Sequence, residues 1–313
     1  MFNKKKFIKN VLCSTLFLFS AGAALAANDP NANKEEYISI GEMAEGFSEY
    51  NLPQTQDLVG KDYTLYFGEG KDSFGVKHTF VSDKVVRWEV LDGPDVGMVG
   101  FDEYIGTNPK EGYYYVEFIT GSNKAKFVSF VLDLKRNAAT AVFGHFPTRE
   151  EDNQSTYQRV AEGKPATAAS VEIVNASINK PMTQKTHRHD LRSNDLTGER
   201  RLYQYSKKDA YEHIYHNDQL FTWYAVSGNE KGLGDTDFAQ IIKFEEDFYM
   251  IVWVEKVMHI VSSITLNFDT MRSSGAMAAY KGWDYGEIVN VSSGAIIKEL
   301  PGLEKDSHVL PKK

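Results

Sequence analysis

Two short stretches in the second half of the sequence gather the side chains best suited to chemistry. In AYEHIYH, strand alternation sets Tyr211, His213 and Tyr215 on one face and Glu212, Ile214 and His216 on the other. Across the next turn Phe221, Trp223 and Ala225 share a face. With His213 and Trp223 turned inward, they would line a cavity whose wall can titrate near neutral pH. In FYMIVWVEKV, Tyr249, Ile251, Trp253 and Glu255 share one face and Phe248, Met250, Val252 and Val254 the other. Both faces are largely apolar, so this strand should be covered on both sides. Glu255 would then sit in low dielectric with a raised pKa unless a cation met it, and Lys243 and Arg272 are the candidate cations.

These residues define a binding set of Tyr205, Tyr211, His213, Trp223, Lys243, Trp253, Glu255 and Arg272, with Glu212, His213 and Glu255 as acid/base candidates. The plainer reading of His213 is a core histidine bonded to a neighbour, and a matching His78 in the first half favours it slightly. Glu255 could equally be a strand-end carboxylate in solvent. Asp235 and Asp237 in GLGDTD offer two hard oxygen ligands without further ligand spacing, which fits a solvated turn better than a cation site. His187, His189 and Asp190 have metal-ligand chemistry but lie in linker composition, where neighbouring histidines of an extended chain diverge; no metal site is expected. The sequence holds no phosphate-binding glycine loop, nucleophile elbow or HExxH motif, and no cofactor is implied. Asn175-Ala176-Ser177 matches a glycosylation sequon by a pattern short enough to recur by chance.

The elements that must hold these residues are strands, and they occur twice. DLVGKDYTLYF (57–67) is echoed by DLTGERRLYQY (195–205), 138 residues on, and HTFVSDKVVRWEVLDG (78–93) by HIYHNDQLFTWYAVSG (213–228), 135 residues on. Asp57/Asp195, Gly60/Gly198, His78/His213, Asp83/Asp218, Trp88/Trp223 and Gly93/Gly228 pair up in register, which marks an internal duplication. Each half carries six or seven runs of strand length split by short turn signals, with no helical pattern between them. The fold class is therefore all-β, and each antiparallel meander must close into a barrel or stack into a sandwich to bury one face and remove its edges. ATAASVEIVNASI could add a strand to either half, VNVSSGAIIKEL could close the second, and Ser273-Ser274-Gly275 reads as a turn. Residues 37–50 could form one short helix, with Ser39 as N-cap and Glu42 three residues on, serving as a lid or plug over the first domain.

Composition is that of a globular protein rather than a nucleic-acid binder: 25% charged, 42% hydrophobic, net charge −8, with 19 Phe, 17 Tyr and 4 Trp among 313 residues. The first 26 residues read as a secretory signal: Lys4, Lys5, Lys6 and Lys9, then an apolar run too short to span a bilayer, then Ala24-Leu25-Ala26. Removal of four lysines would take the net charge from −8 to −12, and the one cysteine, Cys13, would leave with the signal. The expected product is periplasmic or secreted, without a membrane anchor, disulfide or cysteine metal site. The expected layout is a signal over 1–26, a barrel domain over 37–146, a connector over 147–194, a second barrel over 195–300 and a tail over 301–313.

The motifs DLTGERRLYQYS, AYEHIYHNDQLFTWYAVSG, GLGDTD, FYMIVWVEK and MRSSG resemble the MoaF family, called molybdenum cofactor biosynthesis protein F. The likeness spans roughly 37–145 and 190–300. It implies a fold similar to calycins, the group of lipocalins and phenolic acid decarboxylases, with two small barrels in tandem. It carries no catalytic residue onto this chain. The favoured function is an exported binding protein for a small, partly apolar, aromatic molecule held in the C-terminal barrel. The alternative is a cofactor-free lyase or isomerase of an aromatic acid, using Tyr205, Glu212, His213 and Glu255.

Overall fold

The computed structural model describes residues 37–121 and 126–302. The signal reading and most of the tail lie outside the described residues. The first barrel has eight strands: β1 (Asp62–Phe67), β2 (Phe74–Phe80), β3 (Val85–Val90), β4 (Val99–Lys110), β5 (Tyr113–Ile119), β6 (Lys126–Asp133), β7 (Ala138–His145) and β8 (Ser170–Ile178). The second also has eight: β9 (Arg200–Gln204), β10 (Ala210–Tyr215), β11 (Leu220–Ser227), β12 (Gly234–Glu245), β13 (Phe248–Val254), β14 (Val261–Asn267), β15 (Arg272–Tyr280) and β16 (Ile288–Leu300). Helix α1 (Ile40–Phe47) precedes the barrels and a short α2 (Thr156–Ala161) lies between β7 and β8. Both sheets are antiparallel and closed, so neither leaves a free edge.

Closure depends on segments outside the clearest repeats. The connector supplies β8, which pairs with β7 and with β1, Leu65 opposite Ile178. The VNVSSGAIIKEL run is the closing stave of the second barrel, β16, between β15 and β9.

The duplication extends to side-chain detail. His78 pairs with Trp88 across β2–β3, and His213 with Trp223 across β10–β11. Trp88 Nε1 donates to Asp102 at 2.7 Å, and Trp223 Nε1 donates to Asp237 at 2.9 Å, fourteen residues along in both barrels. The β6–β7 turn is held by Asp133, whose Oδ1 accepts from the Lys135 and Arg136 N–H groups. The β14–β15 turn is held by Asn267, whose Oδ1 accepts from Asp269 and Thr270. Asn137 and Met271, at equivalent places after these turns, both take φ of 52°.

Ser273-Ser274-Gly275 is not a turn. It lies inside β15, and the turn precedes it at 268–271. Glycine is needed because β14 comes so close there that a Cβ at position 275 would meet the Ser263 carbonyl oxygen at 2.2 Å.

The two barrels pack back to back. Tyr113, Tyr115, Val131 and Val142 of the first meet Ile242, Phe244, Phe248, Met250 and Val252 of the second. This contact is why every residue of β13 is buried, as its two apolar faces demand. Several polar groups pair across the interface: Ser129 Oγ donates to Ser263 Oγ at 2.9 Å, the Tyr115 hydroxyl donates to the Ser263 carbonyl at 2.8 Å, and Ser292 Oγ donates to Glu117 Oε1 at 3.2 Å, leaving Glu117 Oε2 without a partner.

Helix α1 forms where the sequence placed it, with the Glu42 carboxylate accepting from the Ser39 N–H at 2.8 Å. It does not cover the first barrel. It docks on the second, where Gly41 N–H donates to the Lys281 carbonyl at 3.1 Å and Phe47 packs on Tyr205 and Tyr211, with ring centroids 4.6 and 5.4 Å away. The aromatic mouth of the second barrel offers this apolar helix face the larger burial.

The tryptophan pair differs in burial. Trp223 is 6% exposed, whereas Trp88 is half-buried and lies over Gly100. Trp223→Ala should therefore cost about 3–5 kcal/mol in urea melts, through lost burial and the cavity left behind, and Trp88→Ala distinctly less. Equal losses would contradict this assignment.

Candidate functional site

The interior of the second barrel, at the end covered by α1, brings together six of the residues read as a binding set. Tyr205 follows β9, Tyr211 and His213 point inward from β10, Trp223 from β11 and Trp253 from β13, and Glu255 follows β13. All six are buried. Met43 and Phe47 of α1 form the roof, Met277 of β15 the floor, and Glu230 enters from the β11–β12 loop. The cavity between them is about 20 Å³, room for about one water molecule. Outside the roof, a cleft of about 330 Å³ runs between α1 and the 206–209 turn, and it shares Met43, Phe47 and Tyr211 with the cavity.

Three carboxyl groups stand at this end of the barrel, each tied to one aromatic side chain. The Tyr211 hydroxyl donates to Glu230 Oε2 at 2.8 Å, Trp253 Nε1 donates to Glu255 Oε1 at 3.2 Å, and Trp223 Nε1 holds Asp237. His213 stacks on Tyr203 at 4.1 Å and meets Phe221 and Trp253 edge-on. Buried polar atoms are left over: His213 Nδ1, Glu230 Oε1 and Asp237 Oδ1 have no hydrogen-bond partner. For Asp237 the nearest cation is Lys256, 3.6 Å away and bonded instead to Asp235 at 2.8 Å.

Electrostatics follow from that burial. Desolvation, then the neighbouring Asp237, pushes the Glu255 carboxyl well above the usual range. Desolvation raises Asp237 to about 6 and also raises Glu230. It lowers His213 to about 3, so the imidazole is neutral at physiological pH.

Three predicted residues are elsewhere. Glu212 faces outward from β10, where Arg200 Nε donates to it at 2.6 Å. Lys243 pairs with Tyr249 at the opposite end of β13 from Glu255 and is ion-paired to Asp195 and Glu246. A six-residue separation along a strand is about 20 Å, too far for Lys243 to reach Glu255. Arg272 begins β15, five residues from Met277, and donates to the Tyr50 carbonyl. No cation therefore meets Glu255 in the way the sequence suggested.

Glu230 is the residue that sequence reading missed, because SGNEKG looks like an ordinary turn. Its signal was the repeat: Gly93 and Gly97 bracket Asp95 as Gly228 and Gly232 bracket Glu230. At the other repeat-equivalent positions the first barrel has Phe67, Val76 and Phe118 for Tyr205, Tyr211 and Trp253. His78 there is buried against Phe130 and lowered to about 4 by desolvation, with no second titratable wall beside it.

Near the barrel interface Asp133, His187 and His189 place ligand atoms within 4.8 Å of one another. The two histidines do not diverge as expected; their rings are 5.2 Å apart. Asp133 is already ion-paired with Arg136 at 2.8 Å, and both His189 nitrogens face partners, Thr140 at 2.8 Å and Asp133 at 3.2 Å. A metal would have to displace all three. Asp235 and Asp237 likewise share the Lys256 ammonium.

Two family models match the chain, the MoaF N-terminal domain over residues 35–148 and the MoaF C-terminal domain over 190–302. The chain belongs to the MoaF family. It is similar to Protein MoaF of Klebsiella aerogenes, 28% identical over 272 residues, covering 84% of this chain and 95% of that protein. A Burkholderia vietnamiensis crystal structure, named as a proposed beta-lactamase, overlaps 35% of this chain and 99% of its own, with 14% identity and a TM-score of 0.29, too low to carry any argument. The site draws on both MoaF matches, since Met43 and Phe47 fall in the N-terminal one and its other walls in the C-terminal one.

The pKa shifts predict opposite pH dependences for two substitutions. A carboxyl raised in the folded state costs stability once pH climbs above its unfolded value. Glu255→Gln should thus stabilise the protein at pH 8, with the gain vanishing by pH 4. A depressed histidine costs stability as pH falls below its unfolded value, so the benefit of His213→Phe should grow steadily as pH falls from about 6 to about 3. Melting temperatures across pH check both, and parallel profiles for the two variants would contradict the assigned shifts.

Proposed function

We propose that the C-terminal barrel binds a small, partly apolar molecule beneath α1, and that aromatic faces hold its apolar part. The observation that carries this reading is the pair of unpartnered atoms, His213 Nδ1 and Glu230 Oε1, lining an aromatic-walled cavity under a helix. A buried polar group left without a partner costs about 1–3 kcal/mol, so a barrel built only to fold would fill these positions with apolar side chains. The first barrel shares the unpartnered histidine, His78 Nδ1, but has apolar Phe67, Val76 and Phe118 where the second has Tyr205, Tyr211 and Trp253. The cavity as it stands is water-sized, so binding requires α1 or its Phe47 side chain to move outward toward the neighbouring cleft. The lyase or isomerase alternative loses Glu212, which lies outside the barrel. Export to the periplasm or beyond is part of the same proposal and rests on the lysine-led, apolar first 26 residues.

Native mass spectrometry of protein purified without denaturation tests the site. The expected spectrum shows a small molecule retained by the wild type and weakened by His213→Phe and by Glu255→Gln, with melting temperatures unchanged or higher. If both variants melt lower and no molecule is retained, the polar groups serve only one another and the reading fails.

A further inference from the structure

We infer that the ligand of the C-terminal barrel is an organic cation, an ammonium group seated against Glu230 and Glu255 with its apolar part among the aromatic rings. The inference rests on the binding reading above and adds the ligand's charge. Glu230 and Glu255 line the cavity, Asp237 stands behind Trp223, and no lysine or arginine lines it. Lys243 and Arg272, which would have gripped an acid, are engaged elsewhere. Lys256, the cation beside Asp237, is bonded to Asp235.

The unpartnered atoms point the same way. Glu230 is 2% exposed; the Ile38 backbone acts on its carboxyl, but Oε1 has no hydrogen bond of good geometry. When ionised, the Glu230 carboxylate can only accept, so a positively charged donor both satisfies Oε1 and offsets the burial of the charge. An ammonium supplies donors and charge together, and charge-assisted hydrogen bonds are stronger than neutral ones. Tyr205, Tyr211, Trp223 and Trp253 add aromatic rings, whose faces attract a desolvated cation. An aromatic acid would instead set one more carboxylate against Glu230 and Glu255; the nearby Lys207 and Lys208 line the outer cleft and not the cavity.

A matched probe series tests the charge: benzylammonium, benzyltrimethylammonium, benzyl alcohol and benzoate. Affinity is read by calorimetry, and the site by hydrogen exchange over residues 37–50 and 210–227. The two cations should bind at least about tenfold tighter than benzyl alcohol, a difference of about 1.4 kcal/mol, and benzoate most weakly. Benzylammonium should lose about tenfold on Glu230→Gln or Glu255→Gln, while benzyl alcohol changes little. Tighter binding of benzyl alcohol or benzoate, with altered exchange at α1, would overturn the cation inference and leave the barrel site standing. If none of the four probes alters exchange at α1, the inference and the binding reading both fail. The wild-type ranking decides the matter even if a variant folds poorly.

Discussion

The contact of Phe47 with Tyr205 and Tyr211 is the one on which the second barrel depends. A barrel of eight strands has an interior just wide enough for side chains to fill, and its open end must be covered if that interior is to stay dry. Here the cover comes from the opposite end of the chain. The segment behind the helix is tied down as well: Ser274 Oγ donates to Asn51 at 2.7 Å, and Gly294 leaves space for the Asn51 backbone, which a Cβ would approach to 2.4 Å. Gly46 similarly lets α1 settle on Asp209, whose Oδ2 would lie 2.4 Å from an added Cβ. The helix that covers the second barrel thus precedes the first in the chain, and the proposed binding unit is not a contiguous domain.

That seal explains the electrostatics beneath it. With Phe47 in place, Glu230, Asp237, Glu255 and His213 are removed from water and each is pushed toward its neutral form. Two arrangements could relieve the strain: a closed network among the groups, or an outside partner. The network is incomplete: Glu230 Oε1, Asp237 Oδ1 and His213 Nδ1 have no hydrogen-bond partner, Lys256 stands 3.6 Å from Asp237, and His213 is held by ring packing on Tyr203. Polar groups poorly satisfied at the base of a covered barrel support the proposed ligand site.

Much of the fold was legible because closure and duplication leave marks in sequence. The His78/Trp88 and His213/Trp223 pairs announce two equivalent hairpins, and the hairpins imply two equivalent sheets. What stayed hidden depends on register and on long-range docking. Lys243 and Glu255 flank one strand pair, and only the Lys243–Tyr249 register reveals that they sit at opposite ends of it. Helix α1 was visible through Ser39 and Glu42, but nothing local says which barrel it covers; its Phe47 fits the tyrosines of the second. Gly275 looked like a turn residue because the approach of Ser263 is a tertiary fact. Glu230 was overlooked because a loop carboxylate acquires its meaning only when the barrel folds around it.

The most direct measurement of the central claim is the electron density inside the C-terminal barrel of natively purified crystals. The account predicts density larger than water between Glu230, His213 and Trp253, with Phe47 displaced from Tyr205 and Tyr211. A single water bonded to His213 Nδ1 and Glu230 Oε1, with Phe47 still seated on both tyrosines, would contradict it.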